Sequence, residues 1–114
     1  MSIIGLGIDV LEIKRFQRFS RNRNDQFLLN NFTKKELDYC FLFKDKATHL
    51  AGTFAAKEAV FKSLGKKILL SNIEIRREKN GNPTVLMKNR KQNMIFLSIS
   101  HTKNLALAIV IKND

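Results

Sequence analysis

The residues best suited to chemistry lie in one stretch, Phe54-Ala55-Ala56-Lys57-Glu58-Ala59-Val60-Phe61-Lys62-Ser63-Leu64-Gly65. Glu58 and Lys62 are four apart, so on a helix they share a side and can meet. Lys57 comes one position earlier, about 100° round the axis. A carboxylate flanked by two ammonium groups, among alanines that let other segments approach closely, suits a metal–phosphate complex. The ordinary alternative is a solvated Glu–Lys pair on an amphipathic helix, worth only tenths of a kcal/mol. A second carboxylate of interest is Asp9. Between Ile3 and Val10, Ile4, Leu6, Ile8 and Val10 fall on one face of a strand, and Ile3, Gly5, Gly7 and Asp9 on the other. Two glycines bare that second face, so a backbone or helix can come close to it, and Asp9 ends it. A helix N-cap is the alternative role for Asp9. The glycine spacing does not match a dinucleotide-binding fingerprint, which needs a third glycine opening a helix.

These groups need elements to hold them. A helix is predicted from near Ala47 to Gly65, where glycine can take the left-handed cap; Leu50, Phe54, Phe61 and Leu64 form its apolar stripe. A second helix is predicted over roughly Leu11 to Ser20, with Ile13, Phe16 and Phe19 on its apolar edge. Lys14, Arg18 and Arg21 line its other side, widened by Arg15 and Arg23, with only Glu12 nearby to balance them. Either a solvated face or a surface for an anionic partner explains that stripe. Asn22 to Asn31 reads as a loop with a short helical turn, and Thr33-Lys34-Lys35-Glu36 as a capping box opening a helix towards Phe41. His49 has no visible partner and is read as structural or exposed. Strands are expected at Ile73 to Glu78, Thr84 to Met87, Met94 to Ser100 and Leu105 to Ile111, with Asn80-Gly81-Asn82-Pro83 as turn chemistry. The sum is an α+β domain of about five strands and three helices, a single domain over residues 1–114, in which the first strand pairs among the later ones.

Composition bounds the possibilities. A hydrophobic fraction of 44% with nine Phe argues against disorder. No apolar run is long enough to span a membrane, and no leader pattern opens the chain, so no membrane association is expected. Cys40 is the only cysteine, which excludes an internal disulfide and a multi-cysteine zinc site. Set in Tyr39-Cys40-Phe41, it reads as a buried structural thiol, and the whole fits a reducing, cytoplasmic setting. Twenty-one Lys and Arg against ten Asp and Glu leave +11, a field that draws nucleic acid, anionic membrane, phosphate-rich molecules or acidic proteins.

Three segments taken together are far more specific. Ile4-Gly5-Leu6-Gly7-Ile8-Asp9, followed by Glu12-Ile13-Lys14-Arg15-Phe16, resembles the opening motif of the bacterial holo-acyl-carrier-protein synthases. Phe54-Ala55-Ala56-Lys57-Glu58-Ala59 through Lys62 and Gly65 is similar to that family's signature helix. Ser98-Ile99-Ser100-His101-Thr102 with Ala106 and Ala108 resembles its closing hairpin. The Thr33 capping box and the Asn80–Pro83 turn fall where the family places them, so the resemblance runs through nearly the whole chain.

The resemblance implies a 4'-phosphopantetheinyl transferase-like fold of mainly antiparallel strands packed with helices. The implied activity moves the phosphopantetheine arm of coenzyme A to a serine of apo-acyl carrier protein, in fatty acid biosynthesis, with magnesium and release of adenosine 3',5'-bisphosphate. Asp9 and Glu58 match the family's metal carboxylates, and magnesium takes such ligands together with phosphate oxygens and waters. Lys62, and Lys57 from the helix flank, would compensate charge on the diphosphate. Glu58 is favoured as the base for the serine proton, with Asp9 as the rival. Gly65, Gly81, Pro83, His101 and Thr102 would help to seat coenzyme A, some of them for a neighbouring subunit of a homotrimer. Lys14, Arg15, Arg18 and Arg21 would dock the acidic carrier. Two departures bear on coenzyme affinity: Thr53 stands where the family often has Arg, and the loop after the signature helix is shortened to Gly65-Lys66-Lys67-Ile68. The rival readings are a small basic nucleic-acid-binding module, short of exposed stacking aromatics, and a carrier-docking protein without catalysis. The first would bind without magnesium, and the second would turn over no coenzyme.

Overall fold

The computed structural model describes residues 1–114 throughout. Strand β1, Ile3–Glu12, runs antiparallel to the last strand β6, Leu105–Asn113, and β6 pairs antiparallel with β5, Ile95–His101. A smaller antiparallel sheet is made by β2, Ile73–Arg77, β3, Pro83–Met87, and the two-residue β4, Arg90–Lys91. Three α-helices complete the fold: α1, Gln26–Asn31; α2, Lys34–Cys40; and α3, Lys46–Leu64. The class is α+β as expected, and β4 is the strand beyond the expected five. Lys88 and Asn89, at φ 52° and 62°, make the turn that creates it. No helix is long and apolar enough to cross a membrane.

Helix α3 is the central element. Asp45 caps its start by accepting from Thr48 N at 3.2 Å, and Gly65 ends it at φ 67°. It is not a one-striped helix, because Ala51, Ala55, Ala56, Ala59 and Val60 are all fully buried and it packs on nearly every side. It lies across the larger sheet, from Gly52 beside Ile99 of β5 to Ser63 beside Gly5 of β1. Where α3 crosses β1 and β6 the sheet face is made of smaller residues, Gly5, Gly7, Ala106, Ala108 and Val110, while β5 offers Leu97 and Ile99. The large residues of β1 face the other way: Leu6, Ile8 and Val10 are 63%, 57% and 54% exposed.

The predicted helix over Leu11 to Ser20 is corrected. Strand β1 continues to Glu12, because Leu11 and Glu12 find partners in Ala106 and Leu105. Ile13–Phe16 and Phe19–Arg21 then form 3₁₀ turns. Ile13, Phe16 and Phe19 recur every three residues, the repeat that a 3₁₀ turn aligns. All three are buried, and Phe16 meets Phe19, Phe27 and Phe54 with ring centres 5.7, 6.2 and 5.7 Å away. The Thr33 box is present in full, with Thr33 Oγ1 accepting from Glu36 N and Glu36 accepting from Thr33 N. Cys40 is buried as expected, 3.5 Å from Thr53 Oγ1, and burial pushes its thiol up to about 11.

Candidate active site

The bare face of β1 decides how the site is built. A Cβ on Gly5 would sit 2.1 Å from the Ser63 carbonyl oxygen, and one on Gly7 would sit 1.8 Å from that of Ala59. Two strand residues advance about 6.6 Å and four helix residues about 6 Å, so β1 and α3 keep step along this contact. One further step brings Asp9 level with Ala55, one turn before Glu58 and Ala59. Lys62 leans back over the preceding turn, as helical side chains do. Its ammonium donates to the Ile8 carbonyl at 2.8 Å and to Asp9 Oδ1 at 3.1 Å. The expected Glu58–Lys62 pair is therefore replaced by a Lys62–Asp9 pair, with Glu58 beside it.

Asp9, Glu58 and Lys62 thus come together from opposite halves of the chain. The Asp9 side chain is only 14% exposed, and its Oδ2 is buried without any hydrogen-bond partner. A buried carboxylate oxygen left unpaired is costly unless something charged completes it. Glu58 is half-buried; burial lifts its pKa above its ordinary value, and the Asp9 charge adds to that, while Lys62 opposes it. Two neighbouring carboxylates, one with an orphan oxygen, form a seat for a divalent cation. No cluster of three or more His, Cys, Asp or Glu forms anywhere in the chain. The donor set therefore suits an ion that takes one or two carboxylates and completes its shell with substrate phosphate oxygens and waters.

Lys57 does not join this site. It is fully buried on another side of α3, where its ammonium donates to Glu36 Oε1 at 2.6 Å. Its expected contact with the coenzyme is corrected for that reason: the neighbour in sequence of Glu58 is a core residue. Thr53, expected at the coenzyme's phosphates, is likewise turned inward, 2% exposed against Cys40.

The other expected coenzyme residues fall in two places. Gly65 caps α3 one turn beyond Lys62, followed by exposed Lys66 and Lys67. Gly81, at φ 89°, and Pro83 line a cleft of about 690 Å³ between β3 and β5. His101, at the end of β5, lines a cavity of about 170 Å³ with Tyr39, Thr48, His49 and Arg77. Thr102 is engaged in its own turn, where its hydroxyl accepts from Asn104 N and Leu105 N. Sheet order β1-β6-β5 puts His101 two strands from Asp9, about 10 Å across the sheet. His49 has the partner that its sequence did not reveal: its ring stacks on Phe43 at 3.7 Å, and Nδ1 meets the Asp45 carbonyl at 2.9 Å. Arg77, held over the Tyr39 ring at 5.3 Å, was also missed, since nothing in its strand pattern marks it.

The basic stripe is present on its corrected scaffold. Lys14 and Arg15 on the first 3₁₀ turn, Arg21 on the second and Arg18 between them are all exposed, with Arg18 over the Phe19 ring at 4.8 Å.

Comparison with known proteins agrees with this architecture. Residues 5–110 match the model of the 4'-phosphopantetheinyl transferase superfamily. A holo-[acyl-carrier-protein] synthase of Thermodesulfovibrio yellowstonii is 40% identical over 113 residues, covering 96% of this chain and 97% of its own. Among solved structures, the holo-[acyl-carrier-protein] synthase of Neisseria meningitidis superposes with a TM-score of 0.83 at 26% identity, covering 99% of this chain and 100% of its own. The Bacillus anthracis holo-(acyl-carrier-protein) synthase, solved in complex with CoA (3',5'-ADP), gives 0.81 at 31% identity, covering 96% of each chain. With its carboxylate pair set by the glycines of β1 and the alanines of α3, this chain belongs to the 4'-phosphopantetheinyl transferase superfamily and, within it, to the holo-[acyl-carrier-protein] synthases.

Proposed function

We propose that the protein transfers the 4'-phosphopantetheine arm of coenzyme A to a serine of apo-acyl carrier protein, for fatty acid biosynthesis in the cytoplasm, with magnesium held by Asp9 and Glu58. The observation that carries this reading is the unpartnered Oδ2 of Asp9, buried beside Glu58 and Lys62. Magnesium bound there supplies charge neutralisation at the diphosphate and alignment of the attack. Lys62, now spent on Asp9, becomes free to pair with phosphate once Asp9 has a cation. Glu58 is the base: half-buried beside Asp9 and Lys62, it is the carboxylate of the site that holds no ion pair of its own. The serine Oγ–phosphorus bond forms, the bridging phosphorus–oxygen bond breaks, and adenosine 3',5'-bisphosphate leaves with the electron pair.

Two observations support a site shared across subunits of a homotrimer. The carboxylates lie at the β1 edge of the sheet, whereas His101 ends β5 at the other edge and Gly81 and Pro83 lie beyond it, so a neighbour's far edge can complete the site. The outer sheet face exposes Leu6, Ile8, Val10, Phe96 and Ile109, a continuous apolar patch of the kind that proteins cover. Lys14, Arg15, Arg18 and Arg21 present the charge that an acidic carrier would meet. The nucleic-acid reading is not favoured, because Phe16, Phe19, Phe32 and Phe54 are core residues and provide no stacking platform. The decisive test is intact-mass analysis of an apo carrier incubated with this protein, coenzyme A and magnesium. A carrier heavier by one phosphopantetheine is expected, and an unmodified carrier at full enzyme concentration refutes the reading.

A further inference from the structure

The contact between α3 and β1 is made of backbone and bare Cα positions. Such a surface brings two elements close, but it lacks the interlocking ridges that oppose rotation of a helix about its axis. Across that surface the half-exposed Lys62 bonds the Ile8 carbonyl and Asp9, whereas the fully buried ion pair of α3 lies on another side. Lys57, 0% exposed, donates to Glu36 Oε1 at 2.6 Å. The same oxygen accepts from Thr33 N at 2.8 Å, and Glu36 Oε2 accepts from Ile75 N at 2.7 Å. One carboxylate thereby fastens the start of α2, the middle of β2 and the middle of α3. Burial pushes Glu36 up and Lys57 down, and each partner's charge draws the other back. A buried ion pair is a poor source of stability, since apolar residues of similar volume often do as well, but it fixes direction. Lys57 and Glu58 are adjacent, so the angle at which Lys57 is held sets, about 100° round the helix, the angle at which Glu58 is presented.

We infer that Glu36 and Lys57 are positioning residues for the transfer reaction: their buried bond locks the rotation of α3, so that Glu58 and Lys62 project onto Asp9. The inference rests on the transferase reading above. Its test is the double variant Glu36→Gln/Lys57→Met, which keeps both volumes and leaves no unpaired charge. Thermal unfolding, steady-state carrier modification and Mn²⁺ broadening of the Asp9 and Glu58 amide NMR signals are measured beside the native protein. The folded double variant is expected to lose roughly tenfold or more in kcat, the scale of a sub-ångström to 1 Å misplacement, at unchanged KM for the carrier. Its Asp9 and Glu58 signals should need several times more Mn²⁺ to broaden equally. A folded double variant with native kcat and native broadening overturns the inference, because a purely structural pair predicts that result. Glu36→Asp keeps the charge and shortens the arm by one methylene. It serves if the double variant does not fold, and it must change kcat and broadening in the same direction or the inference falls. If the native protein modifies no carrier, the transferase reading fails on its own; the broadening comparison still decides whether the pair aims Glu58.

Discussion

Gly7→Ala places one methyl group where the helix backbone already lies. The new Cβ would stand 1.8 Å from the Ala59 carbonyl oxygen, 2.7 Å from its carbonyl carbon and 3.2 Å from its Cα. Every one of these is a backbone atom, so no rotamer change relieves the clash. Ordinary contact begins at 3.4 Å, so α3 must retreat by 3.4 − 1.8 = 1.6 Å. Overpacking a dense core costs about 1–3 kcal/mol, and a clash between two backbones belongs at the upper end of that range. For a domain of this size, about 3 kcal/mol lowers Tm by roughly 12 °C. The retreat also carries Glu58 and Lys62 away from Asp9, and a misplacement of about 1 Å at reacting groups costs on the order of 100-fold in kcat. Circular dichroism melting gives the first quantity. Intact-mass rates on an apo carrier, taken well below the variant's melting point, give the second. A variant that melts within about 2 °C of native and reacts within about threefold of it refutes the close backbone contact as the origin of the site. Gly5→Ala, with a required retreat of 3.4 − 2.1 = 1.3 Å, should behave alike but less severely in kcat.

Asp9→Asn should abolish magnesium-dependent transfer and leave the melting curve cooperative; retained magnesium dependence at near-native rate would remove Asp9 from the metal site. Glu58→Gln should lose transfer but stabilise the metal-free protein at neutral pH. A carboxyl raised by folding is favoured in its acid form, so its ionised form costs stability above the folded value, and the gain from Gln should vanish as pH falls below the ordinary 4.5. A Tm difference that grows on acidification would reverse the sign and sink that argument. Arg18→Glu/Arg21→Glu should raise KM for the carrier by roughly ten- to a hundredfold, mostly through association rate and most visibly at low salt, with KM for coenzyme A unchanged. Equal losses for both substrates would show that the stripe does not dock the carrier. Ile8→Lys, on the open sheet face, should give monomers in sedimentation and lose transfer while folding normally; a trimer that persists would place the interface elsewhere.

What could be read from the residues divides by distance along the chain. The capping box at Thr33, the ends of α3 and the Gly81 turn depend on neighbours within four positions, and they stand as expected. The pairing of Asp9 with Lys62 spans 53 positions, yet period-two and period-3.6 patterns each marked one half of it. The failures have physical causes of two kinds. The stretch after Val10 carried enough apolar periodicity for a helix, but the edge of β6 offered ladder bonds that held it extended as far as Glu12. Thereafter an aromatic cluster favoured the three-residue repeat. Lys57 looked like a surface cation because nothing local reveals that a carboxylate 21 residues upstream is buried against it. Glu36 had already been given a local task, its capping bond, and one oxygen serves both. Arg77 and Tyr39 meet only in the folded chain, through a cation over a ring.

One requirement explains both the site and the exposed sheet face. To bring a carboxylate of β1 beside a carboxylate of α3, the two backbones must approach more closely than any side chain on Gly5 or Gly7 would allow. The inner face of β1 therefore carries glycine, and that of β6 carries Ala106 and Ala108, which are buried but supply little apolar area. Strand alternation sends the bulk outward, to Leu6, Ile8 and Val10 on β1 and to Leu105 and Ile109 on β6. Apolar side chains of that size cost nothing to expose only if they are later covered, at about 25 cal/mol for each square ångström removed from water. The driving force that a larger inner face would have given the monomer is thus transferred to whatever packs on the outer one. In the proposed homotrimer, a second copy of the chain would recover that energy, and its β5 edge and Gly81–Pro83 turn would stand where coenzyme A held at the carboxylates could meet them.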